Sequence, residues 1–307
     1  MNSDTNPVSG GVLAAVLTPL DEAGNPDFLV YLEHCRRLLD HGCDGLAVLG
    51  TTGEANSFGL DERLRILDTL AEGGIAPARM IPGTGCCAIP DTVALTRRCV
   101  EMGAAGVLML PPFYYKPVTD DGLFAAYSEV IQRVGDARLR IYLYHIPQNT
   151  GVPLTLGLIE KLIEAYPDTV VGIKDSAGDF ANMAAMCEAF PGFRVFSGSD
   201  SFLLPVLRAG GAGAITACNN VAAALSARLY AARGEAAADG LQGELEAVRE
   251  AIQSAPLIPA LREIMARATG HGGWRRLRPP LTPLSGDQAA ALFERLDGLG
   301  FDLKLAA

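Results

Sequence analysis

Lysine is scarce in this chain, with four against 21 arginines in 307 residues, and one of the four, Lys174, closes the apolar run Val170-Val171-Gly172-Ile173. An ammonium at the end of a buried strand loses hydration, which favours the neutral, nucleophilic amine. Such an amine attacks a carbonyl carbon and forms a Schiff base. Position alone leaves a second reading open, a lysine at a strand mouth whose head reaches water. A tyrosine, Tyr144, ends another apolar run, Ile141-Tyr142-Leu143, and is followed by His145-Ile146-Pro147-Gln148-Asn149-Thr150-Gly151. If the two runs are parallel neighbours in one barrel, both side chains emerge at the same rim, and the phenol can shuttle protons for adducts of the amine. The other reading of Tyr144 is a core aromatic with a satisfied hydroxyl. A third group, Gly50-Thr51-Thr52-Gly53-Glu54, follows the run Gly45-Leu46-Ala47-Val48. Two glycines around two hydroxyls let backbone N–H groups and both Oγ atoms converge on a carboxylate. The threonines could instead cap the helix that begins near Leu60. The gap before that helix, and their place at the C-terminal end of a strand, weigh against capping.

The elements that must position these residues are legible as short apolar runs at 12–17, 45–49, 80–83, 106–110, 141–144, 170–174, 194–197 and 213–216. Their hydrophobicity is continuous rather than alternating, which predicts strands covered on both faces, a parallel sheet inside a shell of helices. The intervening segments carry helical periodicity, with Phe28, Tyr31, Leu32, Cys35 and Leu39 on one predicted face and Leu60, Leu64, Leu67 and Ala71 on another. After the eighth run the pattern is helix only, over 222–234, 236–254, 258–268 and 286–296, punctuated by Pro256, by glycines at 270–273 and by prolines at 279–283. No stretch of disorder-like composition separates the two parts. The expectation is a (β/α)8 TIM barrel over residues 1–225 that carries the site, with a C-terminal helical extension over 226–307 packed on it.

Taken together, Gly50-Thr51-Thr52-Gly53-Glu54, Tyr144-x-x-Pro147-x-x-x-Gly151 and Gly172-Ile173-Lys174-Asp175 resemble the dihydrodipicolinate synthase / N-acetylneuraminate lyase family of class I pyruvate-dependent aldolases. Pro112-Phe113-Tyr114, Gly83-Thr84-Gly85, Ser197-Gly198-Ser199-Asp200 and Gly213-Ala214-Ile215 extend the resemblance over most of the chain. It implies a lysine, Lys174, that forms an imine with pyruvate or with the pyruvyl end of a longer 2-oxo acid. It further implies that Thr51, Thr52 and Gly53 hold the carboxylate, and that protons pass from Tyr144 through Thr51 to Tyr114. Tyr114 would reach a neighbouring subunit's site, so a homo-oligomer, usually a dimer of dimers, is implied. Ile215 matches a position whose backbone carbonyl faces the imine. Asp200 matches a ligand of substrate hydroxyls in sugar-acid lyases, although an Asp after a Gly-Ser turn is equally a helix cap. Two departures matter. Asn149 stands where the dihydrodipicolinate-forming enzymes carry an arginine that grips a carboxylate bidentately, and His145 stands where many members carry asparagine. Both point toward the sugar-acid and 4-hydroxy-2-oxoglutarate aldolases, with Asn149, Ser176, Ser199 and Asp200 as candidate ligands of the second partner. A dehydratase using the same imine, a dihydrodipicolinate synthase and a non-catalytic pyruvate sensor are the alternatives.

Composition bounds the remainder. Net charge is −10 and the pI about 4.9, which gives phosphate backbones no basic stripe, so nucleic acid is not an expected partner. Mean hydropathy is +0.22, yet no apolar stretch reaches the ~18 residues of a membrane span. Met1-Asn2-Ser3-Asp4-Thr5 lacks a leader pattern, and the expected compartment is the cytoplasm. Seven cysteines without a CxxC spacing read as reduced, mostly structural thiols. The four histidines, His34, His41, His145 and His271, match neither HExxH nor a Cys/His finger, so neither a metal nor another cofactor is expected. The arginines of Arg275-Arg276-Leu277-Arg278 read as surface or interface ion-pair formers.

Overall fold

Seven parallel strands lie side by side among the described residues, 8–303, of the computed structural model. They are β1 (Gly11–Ala15), β2 (Gly45–Ala47), β3 (Val107–Met109), β4 (Ile141–His145), β5 (Val170–Asp175), β6 (Arg194–Ser197) and β7 (Gly213–Thr216), in the spatial order β2-β1-β7-β6-β5-β4-β3. Residues 1–5, read above as lacking a leader, lie outside the described residues. The predicted strand at 80–83 closes the ring without forming a full ladder: it bridges Leu46 at Met80 and Leu108 at Gly83. Ile81 N–H donates to Leu46 O (2.9 Å) and Gly83 N–H to Val48 O (2.8 Å), while on the other side Leu108 N–H donates to Pro82 O (2.8 Å). Pro82 has no N–H to return toward β3, so pairing there is broken at one rung.

Strand interiors other than Val171 are buried, as continuous apolar runs require. Two shells result. Leu13, Ala47, Ile81, Leu108, Tyr142, Phe196 and Ile215 fill the barrel, and the outward residues pack against the helices. The helix Leu60–Glu72 turns a different face inward from the one periodicity suggested: Arg63, Ile66, Leu67 and Leu70 are buried, with Arg63 donating to Gly83 O (3.0 Å) and Cys86 Sγ (3.0 Å). An arginine counted as polar thus belongs to the core because backbone and sulfur acceptors receive its donors. The C-terminal part is helical as expected, over Asn219–Ala231, Ala238–Gln253, Leu257–Thr269 and Gly286–Gly298. The division drawn at residue 225 falls inside the first of these. The arginines at 275–278 act within the chain: Arg275 pairs with Glu263 (2.7 Å), and Arg278 with Glu62 (2.5 Å) and Gly24 O (2.8 Å).

Candidate active site

Leu49 and Glu54 both sit at φ 56°, so the chain leaves β2 through two left-handed residues that bracket Gly50–Gly53. Each such residue costs of order 1–3 kcal/mol and persists only where its surroundings over-determine it. Here they do. Thr18 Oγ1 donates to Gly53 O (2.9 Å), and a Cβ on Gly53 would stand 2.7 Å from Val16 O, so only glycine fits. Glu54 is locked in a buried ion pair with Arg262 of the helix Leu257–Thr269, and Arg262 also donates to Thr18 O (2.6 Å) and Trp274 O (3.3 Å). Glu54 therefore anchors the turn and leaves the threonines facing inward. The threonines do not cap the next helix, whose N-cap is Gly59.

Tyr144 and Lys174 are register partners on adjacent strands and are 4 % and 5 % exposed, respectively. Lys174 Nζ stands 4.5 Å from the centroid of the Tyr144 ring, a cation–π contact, and among the described residues no carboxylate forms an ion pair with it. Tyr144 OH lies 3.2 Å from Thr51 Oγ1. One residue further along, His145 and Asp175 are also register partners and take the outer face of the same strands. His145 Nδ1 accepts the Leu154 N–H (3.1 Å), which puts its proton on Nε2. Burial lowers its pKa, with Asp175 pulling the other way, and burial raises that of Asp175, although Ala177 N–H (2.8 Å) and Asn182 Nδ2 (2.6 Å) donate to its carboxylate. This pair lies behind Tyr144 and Lys174, on the outer face of β4 and β5.

Thr51, Thr52, Tyr144, Asn149, Lys174 and Ser176 line one cavity of about 340 Å³ at the C-terminal ends of the strands. Ser176 is seated against Gly198, where a Cβ would fall 1.9 Å from its Oγ. A larger hollow of about 490 Å³ opens at the other end of β5 and β6, against Val170 and Arg194, and holds no nucleophile. The remaining sequence candidates stand outside the cavity lining. Ile215 is fully buried in the barrel interior. Ser199 closes its own loop, with its N–H donating to Ser197 Oγ (3.0 Å). Asp200, expected beside substrate hydroxyls, is 1 % exposed and takes Arg249 (2.7 Å) and Thr216 Oγ1 (2.5 Å) as partners, because a buried carboxylate needs a counter-charge. Tyr114 is 74 % exposed and packs edge-on to Tyr115, ring centroids 5.3 Å apart, outside the cavity lining. Missed by sequence reasoning are Arg249, Gln253, Ile258 and Pro259, which bring the C-terminal helices into the cavity wall. Nothing in the chain distinguishes Arg249 from the other arginines.

Residues 8–297 match the model of the dihydrodipicolinate synthetase family. The chain belongs to that family. It is 36% identical over 294 residues to an uncharacterized DapA-like lyase of Chloroflexus aurantiacus, covering 93% of this chain and 96% of that protein. Among solved structures it is similar to dihydrodipicolinate synthase of Agrobacterium tumefaciens, at a TM-score of 0.87 and 32% identity over 96% of this chain and 100% of that one. It is also similar to YagE, a prophage protein of E. coli K12 solved in complex with pyruvate, at a TM-score of 0.88 and 28% identity over 95% of this chain and 99% of that one. Membership of this lyase family makes the chain a carbon–carbon lyase of the class I aldolase type, carried on the TIM barrel expected from its sequence.

Proposed function

We propose that Lys174 forms an imine with the C2 carbonyl of a 4-hydroxy-2-oxo acid and that the chain cleaves this acid reversibly to pyruvate and an aldehyde. The observation that carries the reading is a pair of contacts joining three residues in one cavity: Nζ of Lys174 over the Tyr144 ring, and the Tyr144 hydroxyl on Thr51. The amine adds to C2, and the Tyr144 hydroxyl gives its proton to the departing carbinolamine oxygen, so that water leaves and an iminium and a Tyr144 phenolate remain. Tyr144 then takes the proton of the C4 hydroxyl, the C3–C4 bond breaks, and its electron pair passes into the iminium to give an enamine while the aldehyde departs. Protonation at C3 and hydrolysis return pyruvate and the free amine. The Thr51–Thr52 turn holds the C1 carboxylate throughout, so the carbonyl is presented to Nζ in one orientation. Tyr114, exposed on its own protomer, would complete a neighbour's relay in a dimer or a dimer of dimers. We place the reaction in the cytoplasm, in keeping with seven unpaired cysteines.

Borohydride reduction in the presence of pyruvate tests the imine. The expected product is a single 1-carboxyethyl adduct on the Lys174 amine, found by peptide mass mapping. No adduct, or one on Lys116 or Lys161, would remove the mechanism.

A further inference from the structure

The 17 residues that line the catalytic cavity include two basic side chains, Lys174 and Arg249, and no carboxylate. Arg249 comes from the helix Ala238–Gln253, and its side chain is 13% exposed. It is held in one orientation. Nη1 donates to Asp200 Oδ2 (2.7 Å), Asp200 Oδ1 accepts from Thr216 Oγ1 (2.5 Å), and the Asp200 carbonyl accepts from Gln242 Nε2 (3.0 Å). Gln242 in turn accepts the Leu204 N–H (2.9 Å) and so ties its helix to the segment that follows Asp200. Burial works against the Arg249 cation, and the facing Asp200 carboxylate, together with Cys218, more than restores it.

Asp200 accepts from Nη1 and Cys218 lies against the same guanidinium, yet neither lines the cavity, whereas Arg249 does. A neutral chain end placed there leaves charged donors desolvated and poorly paired, which is costly; a carboxylate satisfies them with charge-assisted hydrogen bonds. At the pyruvyl end the C1 carboxylate already answers the iminium on Lys174. Arg249 is therefore the cation left for a second anionic group.

Building on the imine reading, we propose that the aldehyde half of the substrate ends in a carboxylate, received by Arg249 with Asn149 and Ser176 on the same cavity wall. The substrate class is then a 4-hydroxy-2-oxo dicarboxylic acid, and Arg249 is its specificity-determining residue. Asp200, set aside as a direct ligand, acts through Arg249 as a positioning residue. The cation that Asn149 lacks is supplied from the C-terminal helices.

The test compares kcat/KM, by pyruvate release, for 4-hydroxy-2-oxoglutarate and for the neutral-ended 2-oxo-3-deoxygluconate. The wild-type protein should favour the dicarboxylate by ~10- to 100-fold, the scale of one charge-assisted contact. Since Arg249→Met alone would strand a buried carboxylate, the variant used is Asp200→Asn with Arg249→Met, alongside Arg249→Lys. The double variant should lose that preference, chiefly through KM on the dicarboxylate, and Arg249→Lys should recover part of it. A wild-type preference for the neutral acid, or an equal loss on both substrates, would overturn the role of Arg249. Borohydride trapping with pyruvate on the same preparations separates the two readings: a retained Lys174 adduct without a substrate preference defeats only the Arg249 assignment, and no adduct in the wild type defeats the imine.

Discussion

Lys174 has the face of Tyr144 against its Nζ where a buried ammonium usually has a carboxylate, and this has a consequence for variants. Tyr144→Phe keeps the ring and its contact with the lysine while removing the hydroxyl that meets Thr51. The fold should survive, and turnover should fall by ~10²–10⁴-fold, the range for losing a positioned proton donor, as read from steady-state pyruvate release. A near-wild-type rate would take proton transfer away from Tyr144. Tyr114→Phe should instead leave trapping at Lys174 intact and lower turnover by ~10²-fold. A strictly monomeric protein of full activity would refute its role in a shared site. That Lys174, Tyr144, Thr51 and Thr52 share one cavity was legible because the first two lie at strand ends and the threonines in the turn after a strand, and such positions converge on one rim of a barrel. Asp200 was misplaced because its partners Thr216 and Arg249 are 16 and 49 residues away, and no local pattern records such a pairing.

The turn after β2 depends on an element that enters the chain 208 residues later, the helix carrying Arg262. Strain at Glu54 is held by that arginine, whose side chain is 1% exposed against 2% for Glu54. Arg262→Met would leave the Glu54 carboxylate buried alone, and breaking a buried pair in this way costs ~3–5 kcal/mol. The loss should register in denaturant melts, and KM for the 2-oxo acid should rise as the threonines lose their fixed posture. Adding Glu54→Gln to that variant should recover part of the stability; a further loss would mean that Arg262 acts through Thr18 and Trp274 alone. The elements themselves were largely readable. Continuous apolar runs gave the strands to within a few residues, and 80–83 fell short of a full strand because Pro82 cannot donate. The strand at 45–49 ends two residues early, at Ala47, where the chain begins to bend into the left-handed Leu49. Hydrophobic period says nothing of φ > 0 at a leucine, nor of a core arginine such as Arg63.

Across the whole molecule, the packing of the N-terminal helix Phe28–Asp40 on the C-terminal helices turns on one neutral histidine. His34 Nε2 lies 2.8 Å from Asn220 Oδ1, and its Nδ1 lies 2.8 Å from Arg37 Nη2. The arginine is a donor only, so Nδ1 accepts, and Nε2–H donates to the Asn220 oxygen that also receives the Leu17 N–H (2.9 Å). Asn220 Nδ2 donates to Ala15 O (2.8 Å), so this histidine is wired to the end of β1. Burial first, and then the Arg37 charge, push the His34 pKa down from 6.5 to about 3. Between those values the unfolded chain binds a proton that the folded chain refuses. The stability supplied by neutral His34 is thus complete above pH ~6.5 and is lost as pH falls toward ~3, at up to ~1.4 kcal/mol per pH unit. Urea melts between pH 7 and pH 5, above the range where most carboxylates titrate, should show a loss of ~2 kcal/mol from this residue. His145 tends the same way and Asp175 the opposite way, and both are common to the wild type and His34→Gln. The variant should be less stable at pH 7 and should lose less on acidification, so that the two curves converge toward pH 5; parallel curves would show that His34 does not carry the acid sensitivity.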